Sequence, residues 1–235
     1  MNYREAWRLQ HSLVEAKISA ELTKEVVLIV EHPPVLTVGR RGSLDHLVAG
    51  EEFLRHVGIE LIPVERGGDI TYHGPGQLVC YPIINLRQTR WSIIDFVGAL
   101  EEIMIRIVGE WGITGERNNR NRGVWVGPSK IGSVGIAVRR GVSYHGLALN
   151  VNTWMEPFQW IHPCGLVGVS TTSMQQIVSR PISMDEVRKA AVRHFADVFE
   201  VDFTMVNVPD LLDLLSGELG QRQSLYEGRE NATET

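Results

Sequence analysis

The sequence has few cysteines and no long apolar run. Cys80 and Cys164 are its two cysteines in 235 residues, too few for a disulfide framework, and neither lies in a spacing that holds zinc. No stretch approaches the ~18 apolar residues that cross a bilayer. The first residues, MNYREAWRLQHSLVEAK, lack the apolar centre of an export signal. We therefore expect a soluble cytoplasmic protein with no membrane partner.

The sequence also lacks a strong excess of one charge. Its 23 basic and 28 acidic residues are interspersed and give a net charge of -5. A continuous cationic stripe, which marks nucleic-acid binding, is therefore absent, and we expect no nucleic-acid partner. With 43% apolar residues the chain can bury one sizeable core. We predict a single domain over residues 1–215 and a polar, flexible tail over 216–235.

The apolar pattern predicts three helices and a run of strands. The helices have 3.6-residue periodicity, and serine caps are expected at Ser92 and Ser183. They cover Tyr3–Thr23, Ser92–Trp111 and Ser183–Phe199. The strands are Glu25–Glu31, Val35–Val38, Glu60–Glu65, Gln77–Asn85, Gly123–Val126, Lys130–Val138 and Val142–Val151. Since strands come in runs rather than alternating with helices, the prediction is an α+β fold with a mixed or antiparallel β-sheet flanked by helices.

Three segments are dense in glycine, histidine and hydroxyl groups, and each is expected at the end of a predicted strand. They are RGGDITYHGPGQ (Arg66–Gln77), KIGSVGIAVRRGVSYHGLALNVN (Lys130–Asn152) and WIHPCGLVGVSTTSM (Trp160–Met174). Glycines let a backbone approach a ligand closely, and glycines inside a strand mark a bulge or such an approach. Plain turns are the alternative interpretation, but loops held by strands commonly carry functional sites.

The two cysteines differ in context. Cys80 lies in the apolar strand QLVCYPI, which predicts an inert core thiol. Cys164 lies between Pro163 and Gly165 in a turn, which favours an accessible sulfur with an open amide beside it as an oxyanion donor. A nucleophilic thiol requires a base or a cation nearby. By sequence alone His162 is a neighbour of Cys164, and Lys130 is an ordinary surface charge.

These motifs resemble the lipoyl(octanoyl) transferase (LipB) family over roughly residues 26–199. The likeness rests on the first two glycine-rich segments and on His162–Gly165, where asparagine commonly stands in place of His162. The resemblance implies an acyltransferase catalytic domain with the fold of biotin and lipoate protein ligases, related to class II aminoacyl-tRNA synthetases. It further implies that Cys164 carries the acyl group as a thioester and that Lys130 activates Cys164.

The resemblance also implies the partners and the contact residues. Octanoyl-acyl carrier protein would be the donor, with the acyl group on its phosphopantetheine, and no separate cofactor or metal would be needed. The acceptors would be lysines of lipoyl domains in 2-oxoacid dehydrogenase complexes and of the glycine cleavage H protein. The implied substrate contacts are Arg66, Gly67, Gly68, Asp69, Ile70, Thr71, Tyr72, His73, Ser133, Val134, Gly135, Gly146, Leu147 and Ala148.

Several alternatives stay open at this point. An adenylate-forming ligase of the same fold would not use Cys164, and a non-catalytic acyl-binding module would transfer nothing. Lys130 can stabilise the thiolate as an ammonium or relay a proton. His73 and His145 can orient loops or transfer protons. The pairs Arg40–Arg41 and Arg139–Arg140 are either solvated charges or contacts to the acidic carrier protein.

Overall fold

The computed structural model describes residues 1–118, 121–161, 170–213 and 215. The helices are α1 (Tyr3–Ile18), α2 (Glu51–His56), α3 (Ile93–Gly109), α4 (Met174–Val178) and α5 (Met184–Phe199). The strands are β1 (Val26–Val30), β2 (Val35–Val38), β3 (Glu60–Pro63), β4 (Ile70–His73), β5 (Gln77–Ile83), β6 (Glu116–Arg117), β7 (Gly123–Val126), β8 (Ser129–Arg139), β9 (Val142–Asn150) and β10 (Ser170–Thr171). Short 3₁₀ turns cover Leu44–His46, Leu86–Gln88 and Glu156–Trp160.

Side-chain caps set the starts of the predicted helices. Ser92 accepts a hydrogen bond from the Asp95 backbone N–H, and Ser183 does the same for Glu186. Both capping predictions are confirmed, since an N-cap oxygen satisfies one of the free amides of the first turn. The prediction for α1 was too long at its C-terminal end. Ala20 adopts a left-handed conformation with φ of 60°, which a continuing α-helix cannot contain.

The larger sheet has the order β1-β5-β9-β8-β7-β6, with antiparallel neighbours, and β10 pairs parallel with β8. This confirms a mixed, largely antiparallel sheet. A second sheet with the order β3-β2-β4 was not predicted as a separate layer. Its strand β4 lies inside the glycine-rich segment Arg66–Gln77, in which the sequence pattern predicts no strand. Four residues between two glycine pairs are too short a run to reveal a strand by alternation.

The larger sheet buries both of its faces. On β5, Leu78 and Cys80 belong to a core with α3 and α5, whereas Val79 and Tyr81 belong to a core with α1. Successive residues of a strand point to opposite faces, so the two cores lie on opposite sides of the sheet. No helix of the described residues is long and apolar enough to span a membrane.

Candidate functional site

A cavity of about 820 Å³ lies along the larger sheet and beneath the segment that contains β4. Its volume is in the range of small-molecule sites. Strand β8 runs beside the cavity from Lys130 to Ile136, a distance of about 20 Å at ~3.3 Å per residue. The site is therefore elongated, with Lys130 towards one end.

Most of the predicted contact residues line this cavity. They are Arg66, Gly67, Gly68, Asp69, Ile70, Thr71, His73, Ser133, Val134, Gly135, Gly146, Leu147 and Ala148. Tyr72 lies outside the lining. Its ring packs edge-on against Phe158 at 5.6 Å in the core beside the second sheet, and burial raises the pKa of its hydroxyl to about 12. Because successive residues of a strand point to opposite faces, Tyr72 points away from the cavity face that carries Thr71 and His73.

Glycines let the segment Arg66–Gly68 lie directly on β8. The Gly67 backbone N–H donates to the Ile136 carbonyl at 2.8 Å. A Cβ added to Gly135 would sit 2.9 Å from the Gly67 carbonyl oxygen, closer than side-chain carbons normally approach. The sequence expectation of a close backbone approach at Gly135 is thereby confirmed.

Arg66 and Asp69 anchor the same segment from within. The Arg66 Nη2 donates to the backbone and hydroxyl oxygens of Thr37 at 2.7 and 2.8 Å. The Asp69 Oδ1 accepts from the Ile70 backbone N–H at 2.7 Å, and its Oδ2 lies 2.5 Å from Nδ1 of His46. Both side chains are buried, so these bonds fix the wall of the cavity.

His73 is held as a neutral ring in one tautomer. Its Nδ1 lies 2.7 Å from Gln77 Oε1, and the Gln77 amide nitrogen donates to Asn150 Oδ1 at 2.9 Å. The Gln77 oxygen is therefore an acceptor, which places the imidazole proton on Nδ1 and a lone pair on Nε2. Burial lowers the pKa of His73 to about 3. Nearby His32 is also neutral, with a pKa that burial lowers to about 4.

His145 occupies a constrained position on β9. Its backbone has φ of 54°, which is unusual for a residue other than glycine, and its N–H donates to Gln10 Oε1 at 2.7 Å. Its Nε2 lies 3.5 Å from Glu65 Oε2, beyond good hydrogen-bonding distance. Burial lowers the pKa of His145. The ring is thus neutral and lies beside a carboxylate at the cavity wall.

Lys130 is buried, with 4% of its surface exposed, which corrects the surface position that composition favours. The pairing with β7 explains its direction. Val124 pairs with Gly132 and Trp125 pairs with Lys130, so Ile131 is one extra residue in β8. This bulge leaves Ile131 in the core and turns Lys130 to the cavity. The Lys130 ammonium donates to Asn121 Oδ1 at 2.6 Å.

The predicted nucleophile Cys164, its neighbour His162 and the tail 216–235 lie outside the described residues. Cys80 is fully buried, and burial raises the pKa of its thiol, as expected for an inert core residue. Within the described ranges no three His, Cys, Asp or Glu side chains are grouped to hold a metal ion.

Sequence reasoning missed part of the lining. The added apolar residues are Val79, Val97, Ile136 and Phe158, and the added polar ones include Tyr3, Glu101 and Asn121. Val97 and Glu101 lie on α3, whose periodicity indicates only which face is buried. Tyr3 comes from α1, about seventy positions before His73, yet their rings stack at 5.8 Å. Contacts between residues so far apart in the chain cannot be predicted from the local sequence pattern.

Arg139 and Arg41 differ in their relation to the site. Arg139 pairs with Glu15 of α1 at 2.6 Å, and it lies at the far end of β8 from Lys130, about 30 Å away. Arg41 lines the cavity. Of the two arginine pairs considered for a carrier protein, Arg40–Arg41 is therefore the one beside the site.

Comparisons with known proteins identify the family of the chain. A family model described as the lipoyl protein ligase A/B catalytic domain matches residues 2–196. An octanoyltransferase of Desulfotalea psychrophila is 47% identical over 88% of this chain and 93% of its own. One of Syntrophobacter fumaroxidans is 46% identical over 92% of this chain and 94% of its own.

Solved structures share the fold at low identity. Lipoate-protein ligase A bound with ATP has a TM-score of 0.71 and 19% identity, covering 90% of this chain and 89% of its own. A bipartite lipoate protein ligase from Thermoplasma acidophilum has a TM-score of 0.68 and 19% identity, covering 90% and 87%. The chain belongs to the lipoyl protein ligase A/B catalytic domain family. Within that family its relatives at 39 to 47% identity are octanoyltransferases, and the enzyme is an octanoyltransferase.

Proposed function

We propose that the enzyme transfers an octanoyl group from acyl carrier protein to a lysine of a lipoyl domain, through a thioester on Cys164. The Cys164 thiolate would attack the carbonyl carbon of the donor thioester and release the phosphopantetheine thiolate. The acceptor amine would then attack the octanoyl-Cys164 carbonyl, forming the amide and releasing the Cys164 thiolate. The amine proton would leave through Lys130 or water.

The observation that carries the proposal is the buried Lys130 at one end of an elongated cavity. An ammonium in this position would stabilise a nearby thiolate more than a solvated one, since little water screens it. The chain that follows Cys164 returns beside Lys130: Thr171 pairs with Lys130, and the Thr172 N–H donates to its carbonyl at 2.9 Å. Ser170 follows Cys164 by six positions, which span at most about 22 Å.

The acyl chain would lie along β8, away from Lys130. The apolar side chains available there are Val79, Val134, Ile136, Leu147 and Ala148. Each buried CH₂ stabilises binding by about 0.8 kcal/mol, so an eight-carbon chain would be favoured over shorter ones. Segment Arg66–His73 would close over the chain, with the anchors at Thr37 and Asp69 keeping it rigid.

An ATP-dependent ligase of the same fold is the alternative that the sequence left open, and lipoate-protein ligase A shares only the fold with this chain, at 19% identity. Transfer from octanoyl-acyl carrier protein to a lipoyl domain, without ATP, distinguishes the two. We expect transfer by the native enzyme and none by Cys164→Ser, with Cys80→Ala as the control that keeps full activity. Transfer that needs ATP and survives Cys164→Ser would establish the ligase instead.

A further inference from the structure

A short stretch of chain before and within β7 encloses the Lys130 side chain. Asn121 Oδ1 accepts from the Lys130 ammonium at 2.6 Å. The Trp125 ring centroid lies 5.7 Å from the Lys130 Nζ. An amide oxygen and an aromatic face both favour a cation over a neutral amine. We call residues 121–125 the lysine cradle; Lys130 makes other interactions as well.

The backbone of the cradle fits the stem of Lys130. Gly123 has φ of 128°, a conformation that favours glycine. A Cβ at Gly123 would sit 2.7 Å from Lys130 Cε and would overlap the Gly132 carbonyl. The Trp125 Nε1 donates to the Asn121 carbonyl at 3.3 Å, which links the two contact residues to each other. The cradle therefore contacts both the aliphatic part of the Lys130 side chain, at Gly123, and its ammonium group, at Asn121.

Glu101 of α3 fixes the cradle in place. One of its oxygens accepts from the Gly123 N–H at 2.8 Å, and the other faces Arg122 Nη1 at 3.3 Å and Arg117 Nε at 3.6 Å. Glu101 is 1% exposed, so its bond to the Gly123 N–H is poorly screened, whereas Arg117 and Arg122 are about half exposed. The Glu101 carboxylate thereby ties α3 to the chain on both sides of Asn121.

We propose that Asn121 and Trp125, held by Glu101, are positioning residues that orient the Lys130 ammonium towards the reacting groups and favour its charged form. This proposal rests on the proposed role of Lys130. It assigns a function to a segment outside the glycine-rich motifs. It also explains the bulge at Ile131, because the bulge sets Lys130 opposite Trp125.

Charged side chains of several elements line the cavity together with Lys130. Glu101 lies on α3, Arg117 on β6 and Arg122 just before β7, and Arg41, Arg66 and Asp69 line the same cavity. Strand β8 carries no further charge until Arg139. A substitution at Asn121 leaves all these groups in place. A change in the Lys130 pKa would therefore come from the changed hydrogen-bond acceptor at position 121.

The test measures the titration of Lys130 directly in the full-length chain. The sequence has four lysines, so ¹³C-lysine labelling gives four side-chain signals, and Lys130→Arg identifies the one of interest. We expect Asn121→Ala to lower the Lys130 pKa and Asn121→Asp to raise it, each by about one unit. Asn207→Ala, at an exposed position, should leave it unchanged. A Lys130 pKa that is the same in both Asn121 variants would overturn the proposal.

A second pair of variants tests the contact between the Trp125 ring and the Lys130 ammonium. Trp125→Leu should lower the Lys130 pKa, and Trp125→Tyr should keep it near the native value because the aromatic face is retained. An equal pKa in the two Trp125 variants would count against the ring contact.

Kinetics separate this proposal from the proposed function. The pH profile of Cys164 acylation should move in the same directions as the Lys130 pKa. If the Lys130 pKa shifts but the pH profile of acylation does not, the positioning of Lys130 by the lysine cradle would be supported. The catalytic role of Lys130 would then be contradicted. Glu101→Gln should slow acylation by about tenfold, the rate equivalent of about 1.4 kcal/mol, with Glu110→Gln, just after α3 and paired with Arg193, as the control that does not.

Discussion

Individual residues determine the shape of the cavity and the protonation of the side chains that line it. Gly135 lets two backbones meet, and the amide of Gln77 selects the tautomer of His73. Lys130 is directed by one extra residue in its strand. These effects depend on single atoms, so they are tested by single substitutions.

Gly135→Ala is expected to reduce octanoyl transfer without unfolding the protein. Its Cβ would sit 2.9 Å from the Gly67 oxygen and push the segment Arg66–Gly68 off β8. Overpacking of this kind costs about 1–3 kcal/mol. We expect kcat/KM to fall by about tenfold or more.

The matched control is Gly98→Ala on α3, where an added Cβ meets nothing within 4 Å. That variant should keep full activity and gain about 0.5–1 kcal/mol of stability, since alanine favours a helix. Equal kcat/KM for Gly135→Ala and the native enzyme would contradict the packing of Arg66–Gly68 on β8.

The buried histidines predict a loss of stability in acid. His73 and His32 have folded-state pKa values of about 3 and about 4, below the usual 6.5 of an unfolded chain. Below pH 6.5 the unfolded chain therefore binds protons that the folded chain does not. The contribution is fully present above pH 6.5 and is lost as the pH falls towards the folded-state values.

Urea unfolding measures this effect. Between pH 6.5 and 5 each histidine should reduce the free energy of unfolding by about 2 kcal/mol. His73→Asn should remove the part of this fall in unfolding free energy that His73 causes, whereas exposed His56→Asn should leave the fall unchanged. A native protein whose stability is the same at pH 6.5 and pH 5 would rule out neutral, buried histidines.

At the scale of helices and strands, local signals account for much of what could be predicted. The starts of α3 and α5 follow from Ser92 and Ser183, because a cap is a contact between near neighbours. The positions of β2 and β7 follow from their apolar runs. The short strand β4 and the helix α2 were missed, because too few residues carry the pattern and tertiary packing completes them.

Ser183→Ala tests whether the cap contributes as the sequence pattern suggests. The Ser183 hydroxyl oxygen accepts from the Glu186 N–H, and its loss should cost about 1 kcal/mol of unfolding free energy. Ser12→Ala, inside α1, is the matched control. Its hydroxyl only donates to the Arg8 carbonyl, so little change is expected. Equal stability for the two variants would contradict the capping role.

At the scale of the whole molecule, the cavity is assembled from segments that are far apart in sequence. The glycine-rich motifs predicted most of its lining, since glycine and histidine at strand ends leave a visible signature. Val97, Glu101 and Tyr3 could not be predicted, because their place depends on how α1 and α3 pack on the sheet. The lysine cradle could not be predicted either, because the roles of Asn121 and Trp125 follow only from their contacts with Lys130.

The central claim is that an octanoyl thioester on Cys164 lies on the path to the amide. Its most direct test is intact-mass analysis of the enzyme after mixing with octanoyl-acyl carrier protein, followed by addition of a lipoyl domain. We predict one added octanoyl group that is labile to hydroxylamine, absent in Cys164→Ala, retained in Cys80→Ala and passed to the lipoyl domain. Amide formation by an enzyme that never carries the adduct, or that carries it equally in Cys164→Ala, would contradict the account.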